Sequence, residues 1–262
     1  MSQATGARFE FHNLTKVFGG LVAVNDVTVE AVAGGITGII GSNGAGKSTV
    51  FNLISGFYKP DAGQVLLEGQ DLTGRQPHEI AAAGVGRTFQ NIRLFQGMSV
   101  LDNVRTALHR SLDYNVFHAL LRLPKIRSEE KRAEEAALEA LELVGMLEAK
   151  ELTGSSLPYG LQRRLEIARA LAMKPKILLL DEPAAGLNPG EVADLVNLIR
   201  SINAKLGLTI LVIEHHMDLV ASLCQKVFAM NFGQVIAGGT LAEVQNDPAV
   251  LEAYLGKGAS HA

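Results

Sequence analysis

Hydrophobic and polar positions alternate in the first third of the chain, as is typical of β-strands with one buried face. The alternation covers residues 9–14 and 21–32, and the apolar residues 36–40 predict a fully buried strand. A helical pattern then begins at Lys47 and ends near Ser55. This part of the chain is therefore predicted to contain mainly strands and turns, with one early helix.

The middle of the chain changes to helical periodicity, with apolar positions three and four residues apart between about 102 and 150. Pro124 interrupts this pattern, and residues 129–142 predict an amphipathic helix with one charged face. The segment 108–127 shows no pattern that indicates a chemical role.

Helices and strands alternate in the last third of the chain. The predicted elements are a helix at 161–173, a strand at 177–180, a helix at 191–206, a strand at 209–213, a helix at 217–224 and short strands at 226–230 and 234–237. Strands that alternate with helices favour a largely parallel sheet. The chain is therefore predicted to have an α/β core interrupted by a helical insert.

Composition narrows the classes of function. Across 262 residues, 24 Lys and Arg stand against 27 Asp and Glu, and the formal net charge of −3 argues against nucleic-acid binding as the main role. Trp is absent and aromatic residues make up only 5% of the chain, so a stacking platform for bases is not expected. The single Cys224 excludes an internal disulfide and a cysteine-based zinc site.

The mean hydropathy of +0.18 is high enough to require a search for membrane spans. Apolar runs are only of strand length, whereas a spanning helix needs about 20 mainly apolar residues. Residues 1–8 lack the basic segment and apolar run of a signal peptide. We expect a cytosolic chain without a membrane span of its own.

A phosphate-binding motif follows the strand predicted at 36–40. Residues 41–49 read Gly-Ser-Asn-Gly-Ala-Gly-Lys-Ser-Thr and fit the pattern G-x-x-x-x-G-K-[ST] between a strand and a helix. Glycines let backbone N–H groups converge on an anion, and the helix N-terminus adds partial positive charge. We expect Lys47 to reach the β- and γ-phosphates and the Ser48 hydroxyl to ligate Mg²⁺. The candidate nucleotide-binding residues are Gly41, Ser42, Asn43, Gly44, Ala45, Gly46, Lys47, Ser48 and Thr49.

Two carboxylates end the buried strand predicted at 177–180. Asp181 stands at the carboxyl end of this strand, where ligands of parallel sheets gather, and is placed to hold the Mg²⁺ shell through water. Glu182 could polarise the attacking water. Together with the phosphate motif these residues predict a nucleoside triphosphatase, and the lack of an N-K-x-D-type motif argues against a G-protein.

Residues 157–164, Leu-Pro-Tyr-Gly-Leu-Gln-Arg-Arg, resemble the L-S-G-G-Q signature motif of ABC-type ATPases. Weaker matches occur in the same order as in that family. Phe18 corresponds to the aromatic residue that stacks on adenine, Gln90 to the Q-loop glutamine and His215 to the switch histidine, while residues 185–188 resemble the D-loop. The resemblance extends over essentially the whole chain.

The resemblance implies a fold and its boundaries. It implies a P-loop NTPase of the α/β class, an ABC-type ATPase domain with an antiparallel β subdomain and a helical subdomain inserted after the Q-loop. Residues 1–262 would form one such domain, with a RecA-like core at about 1–94 and 171–262 and a helical insert at about 95–170.

It also implies that two such domains meet head to tail with ATP between them. The signature residues of one domain, Tyr159, Gly160 and Gln162, would face the nucleotide bound by the other domain. Lys47, Glu182 and His215 are the implied catalytic residues, with His215 holding the attacking water together with Glu182. The implied Mg²⁺ ligands are Ser48, Gln90 and Asp181, and Gln90 would also move the helical insert when it senses the γ-phosphate.

The chain departs from the family pattern at four positions. Pro158 replaces the signature serine, Tyr159 the first signature glycine, Asn188 the D-loop aspartate and His216 the aspartate that commonly follows the switch histidine. Pro158 cannot donate a side-chain hydrogen bond to the γ-phosphate. We therefore expect the signature of this chain to stabilise the ATP bound by its partner less well than the partner's signature stabilises the ATP bound at Lys47.

Several stretches together resemble one branch of the family. The Leu-Pro-Tyr-Gly signature, the segment 181–189, the Glu-His-His at 214–216 and the closing stretch 239–256 resemble the longer ATPase subunit of bacterial branched-chain amino-acid importers. The resemblance implies two membrane permeases, a second ATPase subunit in a hetero- or homodimer, a periplasmic binding protein and no nucleic-acid partner. It places the chain at the cytoplasmic face of the inner membrane.

Other functions remain open at this point. The alternatives are an ATPase of a urea or amide importer, of a lipopolysaccharide exporter, or a soluble ABC ATPase acting on ribosomes, DNA or iron–sulfur assembly. The single nucleotide domain and the lack of a long coiled coil argue against translation and DNA-repair types. Intact Glu182 and His215 argue against an assembly factor with little hydrolysis.

A candidate docking surface follows Gln90. Phe95, Met98 and Leu101 lie close together in the sequence and could form one side of a groove for a short permease helix. Core packing is the competing interpretation for Met98 and Leu101. Phe95 is the stronger candidate for a contact.

Overall fold

A computed structural model describes residues 6–108 and 124–255. The chain divides into two compact units, one built from the residues up to Gln90 and from Lys176 onward, the other from Asn91 to Pro175. The strands are β1 (Phe9–Phe18), β2 (Leu21–Glu30), β3 (Ile36–Gly41), β4 (Ala62–Leu67), β5 (Gln70–Asp71), β6 (Val85–Arg87), β7 (Ile177–Asp181), β8 (Thr209–Ile213), β9 (Lys226–Asn231) and β10 (Gln234–Gly239). The helices are α1 (Lys47–Ile54), α2 (Pro77–Ala83), α3 (Val100–Leu108), α4 (Pro124–Leu143), α5 (Tyr159–Ala172), α6 (Pro189–Leu206), α7 (Met217–Leu223), α8 (Leu241–Gln245) and α9 (Pro248–Leu255).

The first unit contains two sheets. An antiparallel sheet has the order β2-β1-β4-β5, and a mixed sheet has the order β10-β9-β3-β8-β7-β6, in which only β10 runs antiparallel to its neighbour. The predicted α/β fold with an antiparallel β subdomain is confirmed.

The centre of the mixed sheet is apolar throughout. Every residue of β3, β7 and β8 is buried, which explains why these strands are continuous hydrophobic runs rather than alternating ones. Because they are parallel, their carboxyl ends meet at one edge of the sheet. That edge carries Gly41 at the end of β3, Asp181 at the end of β7 and Ile213 at the end of β8.

The second unit contains α3, α4 and α5, which pack against one another. Apolar side chains at helical spacing form its interior, among them Val100, Val104, Ala137, Leu141, Leu165 and Ala168. An isolated bridge between Ser99 and Thr153 joins the segments before α3 and before α5.

Several helix boundaries differ from the predicted ones because proline begins the helix. Pro124 was expected to interrupt a helix but is the first residue of α4, and Pro189 begins α6 two residues earlier than predicted. Proline suits the first turn, where its missing N–H has no intrahelical partner. A capping box between Asn188 and Glu191 fixes the start of α6.

Most of the segment for which no role could be read, 108–127, lies outside the described residues. Among the described helices, none has both the length and the hydropathy required to cross a bilayer.

Candidate nucleotide-binding site

The phosphate motif forms a tight loop between β3 and α1. Gly46 stands at the N-terminus of α1 with φ of +99°, and a Cβ atom there would lie 2.6 Å from the carbonyl oxygen of Ala23, so only glycine fits. Ser42, Asn43, Gly44 and Ser48 are exposed, and Thr49 is half-buried. The loop therefore presents its backbone and the Ser48 hydroxyl to solvent at the N-terminus of a helix, as an anion-binding loop requires.

Lys47 is buried within the loop. Its Nζ donates to the carbonyl oxygens of Gly41 at 2.7 Å and Ser42 at 2.9 Å. Burial lowers the pKa of Lys47, and the negative charges of Glu182, Asp181 and Glu214 oppose this shift. The ammonium group is thus held at the edge of the sheet, among carboxylates at the ends of the neighbouring strands.

Asp181 ends β7 as a buried carboxylate. Its Oδ2 accepts a hydrogen bond from Nη2 of Arg87 at 2.9 Å, and its backbone N–H lies 3.5 Å from Oγ1 of Thr88. Both partners come from the end of β6, the neighbour of β7 in the sheet. The pairing with Arg87 was not expected from the sequence, which gave no reason to assign a role to Arg87.

Glu182, Gln90 and His215 come together beside Asp181. Nε2 of Gln90 donates to Oε2 of Glu182 at 2.8 Å, and Nδ1 of His215 lies 3.9 Å from the same oxygen. Glu182 has φ of +46°, an uncommon value for a residue with a side chain, and its N–H donates to the carbonyl oxygen of Ile213. A carboxylate, an amide and an imidazole thus converge at the carboxyl end of the sheet.

Glu214 is a completely buried carboxylate that organises the two loops around this site. Its Oε1 accepts from the N–H of Ala184, and its Oε2 accepts from the N–H groups of His215 and His216. Nδ1 of His216 lies 2.9 Å from the same Oε2. The sequence signal for Glu214 was an acidic residue directly after a buried strand, but no role was assigned to it.

The geometry distinguishes the two adjacent histidines. Nδ1 of His216 lies 2.9 Å from Oε2 of Glu214. Nδ1 of His215 instead lies between two carboxylates, 3.8 Å from Oε2 of Glu214 and 3.9 Å from Oε2 of Glu182, and its side chain is 48% exposed. The resemblance in the sequence had matched His215 to the switch histidine.

Phe18 lies at the end of β1 and is 39% exposed. Its ring meets the edge of Tyr58 at a centroid distance of 5.2 Å, and Nζ of Lys16 lies 5.4 Å from the ring centroid. The ring is therefore held in place on one side while a large part of it remains accessible to a planar ligand.

The signature residues belong to the second unit, at the start of α5. Pro158 is the residue before the helix, with ψ of 151°, so α5 begins at Tyr159 rather than at the predicted residue 161. Tyr159 is 42% exposed, Gly160 is half-buried, and Nε2 of Gln162 donates to the carbonyl oxygen of Leu157. The hydroxyl of Tyr159 accepts a hydrogen bond from Arg163.

Phe95 and Met98 are exposed in the second unit, at 48% and 41%, whereas Leu101 is half-buried. The buried Asn103 fixes the backbone of Phe95, because its Oδ1 accepts from the N–H and its Nδ2 donates to the carbonyl oxygen of that residue. The Arg169 guanidinium lies 5.5 Å from the ring centroid of Phe95. Phe95 is thus an exposed aromatic ring on a rigidly held backbone.

Comparisons with known proteins agree with this geometry. Residues 24–185 match the ABC transporter family, and residues 234–260 match the family described as branched-chain amino acid ATP-binding cassette transporter. The high-affinity branched-chain amino acid transport ATP-binding protein LivG of Escherichia coli K12 is 46% identical over 240 residues, which cover 92% of this chain and 94% of LivG.

Two further relatives extend the comparison. The corresponding protein BraF of Pseudomonas aeruginosa is 44% identical over 95% of this chain and 97% of its own length. The crystal structure of the ADP conformation of MJ1267, an ATP-binding cassette of an ABC transporter, superposes with a TM-score of 0.83 at 35% identity, covering 97% of this chain and all of that chain. The chain therefore belongs to the ABC transporter family of ATPases, in the group of branched-chain amino acid transport ATP-binding proteins.

Proposed function

We propose that this chain binds ATP with Mg²⁺ and hydrolyses it to power the import of branched-chain or related amino acids through separate permease subunits. ATP hydrolysis coupled to transport follows from membership of the family. The observation that carries the proposal is the convergence of Gln90, Glu182 and His215 beside the loop of Lys47, in a chain 46% identical to LivG. The substrate class rests on what LivG and BraF are named for.

The phosphates of ATP bind to the loop formed by residues 41–49. Its exposed backbone and the N-terminus of α1 provide positive potential for the phosphates. Lys47 exchanges its bonds to two neutral carbonyl groups for an anionic phosphate partner, a stronger charge-assisted interaction. Phe18 stacks on the adenine with the face that remains exposed.

Mg²⁺ would be held by Ser48, Asp181 and Gln90, whose hydroxyl, carboxylate and amide oxygens are the ligand types that this ion prefers. Asp181 is suited to this role because its carboxylate stands at the end of β7, at the same edge of the sheet as the phosphate loop that follows β3. The ion would neutralise the negative charge that develops on the β- and γ-phosphates.

Glu182 acts on the water that attacks the γ-phosphate. Its carboxylate accepts a hydrogen bond from that water and orients the oxygen, while Gln90 and His215 hold the carboxylate and the water in place. The water oxygen forms a bond to the γ-phosphorus as the bond to the β,γ-bridging oxygen breaks, a proton of the water passes to the carboxylate of Glu182, and ADP and inorganic phosphate are the products.

The second nucleotide domain completes the site. ABC ATPase cassettes work with membrane permeases and dimerise. Tyr159, Gly160 and Gln162 of this chain face the ATP of the partner domain, where Gly160 offers its backbone and Pro158 offers no hydroxyl. This signature therefore stabilises the γ-phosphate of the partner's ATP less well. A signature that carries serine would stabilise the ATP bound at Lys47 better. A Pro158→Ser variant with unchanged ATPase rate and dimer affinity would contradict this asymmetry.

Phe95 contacts a short cytoplasmic helix of the permease. Its exposure and its rigid backbone suit an aromatic anchor for such a helix. The chain would then lie at the cytoplasmic face of the membrane, and a periplasmic binding protein would deliver the amino acid to the permeases.

Uptake of labelled amino acids by the complete transporter in liposomes tests the proposed function. With ATP inside the liposomes and the binding protein outside, leucine should accumulate, and unlabelled isoleucine or valine should compete with it. Complexes that carry Lys47→Ala in this chain provide the matched control and should show little uptake. Uptake of urea or short amides without uptake of leucine would contradict the substrate class while preserving the ATPase.

A further inference from the structure

Arg87 connects two parts of the proposed metal site, the carboxylate of Asp181 and the helix that carries Ser48. Its Nη2 donates to Oδ2 of Asp181 at 2.9 Å. Its Nη1 contacts the last turn of α1 at three atoms, the carbonyl oxygen of Phe51 at 3.1 Å, Oδ1 of Asn52 at 2.9 Å and Oγ of Ser55. One guanidinium group thus bridges the end of β7 and the end of α1.

Aromatic rings enclose this bridge. The Arg87 guanidinium carbon lies 5.7 Å from the ring centroid of Phe51, 5.5 Å from that of Phe57 and 5.1 Å from that of Phe89. The side chains of Arg87 and Asp181 are only 8% and 6% exposed. In such surroundings water does not compete for the hydrogen bonds, and the planar guanidinium is held in one orientation.

Helix α1 transmits this constraint to the phosphate loop. It has only eight residues, with Ser48 in its first turn and the residues bonded to Arg87 in or directly after its last turn. A counter-ion for Asp181 would need only a positive charge. The additional bonds from Arg87 to α1 fix the position of this short helix relative to Asp181.

We propose that Arg87 is a positioning residue for Mg²⁺, which sets the separation between the Ser48 hydroxyl and the Asp181 carboxylate. This inference rests on the roles proposed above for Ser48 and Asp181. Groups that hold metal ligands by hydrogen bonds typically contribute about 10- to 100-fold to metal affinity or activity. Lysine cannot replace Arg87 fully, because a single ammonium group does not present a planar fork to both partners.

Mg²⁺-dependent binding of a fluorescent, non-hydrolysable ATP analogue to the full chain tests this inference. Mg²⁺ increases the affinity of the chain for the analogue. The quantity measured is the Mg²⁺ concentration at which half of this increase is reached. Arg87→Met should raise it by about tenfold, and Arg87→Lys should raise it less. Affinity for the analogue in the presence of EDTA should change much less than the response to Mg²⁺, because the bonds of Arg87 described above lead to Asp181 and to the last turn of α1.

Two further variants separate positioning from loss of stability. Asn52→Ala removes one bond between Arg87 and α1 without altering the bond to Asp181, and it should also raise the half-saturating Mg²⁺ concentration. Ile80→Val removes a methylene group from a buried position and should lower the thermal midpoint without changing the response to Mg²⁺. If Arg87→Met fails to fold, the half-saturating Mg²⁺ concentrations of Arg87→Lys and Asn52→Ala test the inference.

Asp181→Asn distinguishes failure of this inference from failure of the proposed function. If Asp181→Asn weakens the response to Mg²⁺ while the variants at Arg87 and Asn52 keep the wild-type value, the positioning role is wrong and the proposed metal site stands. If Asp181→Asn also responds as the wild type does, the metal role of Asp181 is wrong and the inference about Arg87 is overturned with it.

Discussion

The side-chain amide of Gln90 donates a 2.8 Å hydrogen bond to the carboxylate of Glu182, although the two residues are 92 positions apart. Gln90 is the last residue of the first unit before the helical unit begins. The residue that we propose to act on the attacking water is therefore bonded directly to the last residue before the helical unit.

Replacing Gln90 by alanine should slow ATP hydrolysis while leaving ATP binding in the absence of Mg²⁺ largely intact. The variant removes the donor that holds Oε2 of Glu182, and a loss of about tenfold is expected for a residue that orients a catalytic group. Steady-state ATPase assays and ATP titrations measure the two effects. Gln70→Ala, a change of the same type at the exposed first residue of β5, is the control. A Gln90→Ala enzyme with the wild-type rate would contradict the role of this bond.

Glu214→Gln should destabilise the fold. An amide has one acceptor oxygen and places an NH₂ group where Glu214 accepts bonds from backbone N–H groups, so at least one buried donor loses its partner. Each buried donor left unsatisfied costs about 1–3 kcal/mol. Chemical denaturation should show a lower midpoint than for Glu252→Gln, which alters an exposed glutamate on α9. Equal midpoints would show that Glu214 does not hold the two loops together.

The buried Glu166 should make the stability of the protein depend on pH. Burial raises the pKa of Glu166, although the Arg93 N–H and the charges of Arg163 and Arg169 oppose the shift. A carboxyl whose pKa is higher in the folded state binds more protons there than in the unfolded state, so its contribution to stability is present below the unfolded pKa and is lost as pH rises through the folded pKa.

Glu166→Gln removes this dependence. As the pH falls from 7 towards 4.5, the wild type should gain stability relative to Glu166→Gln, as measured by thermal midpoints in matched buffers. Glu134→Gln, at an exposed position of α4, should follow the wild type over this range. A constant difference between the wild type and Glu166→Gln at all pH values would contradict the raised pKa.

The thiol of Cys224 should be unreactive in the folded protein. Burial raises its pKa to about 12, with a smaller contribution from the charge of Glu214, so almost no thiolate exists at pH 8. Because Cys224 is the single cysteine of the chain, a chromogenic disulfide reagent reports on it alone. Reaction should be slow in buffer and rapid in denaturant, whereas Ser155→Cys should add a fast-reacting exposed thiol. Rapid modification of the folded wild type would contradict the raised pKa.

The parts of the site that lie within one local pattern could be predicted from the sequence. The loop around Lys47 follows from a buried strand, glycines and a helix start in direct succession. Asp181 and Glu182 could be placed because carboxylates directly after an apolar strand lie at the ligand-binding edge of a parallel sheet.

The pairing of Arg87 with Asp181 could not be predicted in the same way. It depends on β6 and β7 being neighbours, although the whole helical unit lies between them in the sequence. Nor does a local pattern show that Glu214 is completely buried, because its partners come from the loop after β7 and from the chain that follows β8. Strand order and loop packing decide both contacts.

The start of α5 was misplaced for a physical reason. Apolar periodicity begins at Leu161, which favours that residue as the first of the helix, but Pro158 stands just before Tyr159 and its carbonyl oxygen accepts the first helical bonds from Leu161 and Gln162. The helix therefore begins with polar and small residues that no hydrophobic pattern marks. Those residues are among the ones that we propose to face the ATP of the partner domain.

The rate of ATP hydrolysis by the assembled transporter carrying Glu182→Gln in this chain is the most direct test of the account. Replacing the carboxylate that we propose to act on the attacking water should slow hydrolysis at this site by about 100-fold or more, while ATP remains bound. Glu252→Gln should hydrolyse ATP at the wild-type rate, and Lys47→Ala should lose ATP binding itself. A complex with Glu182→Gln that hydrolyses ATP in this site as fast as the wild type would contradict the central claim.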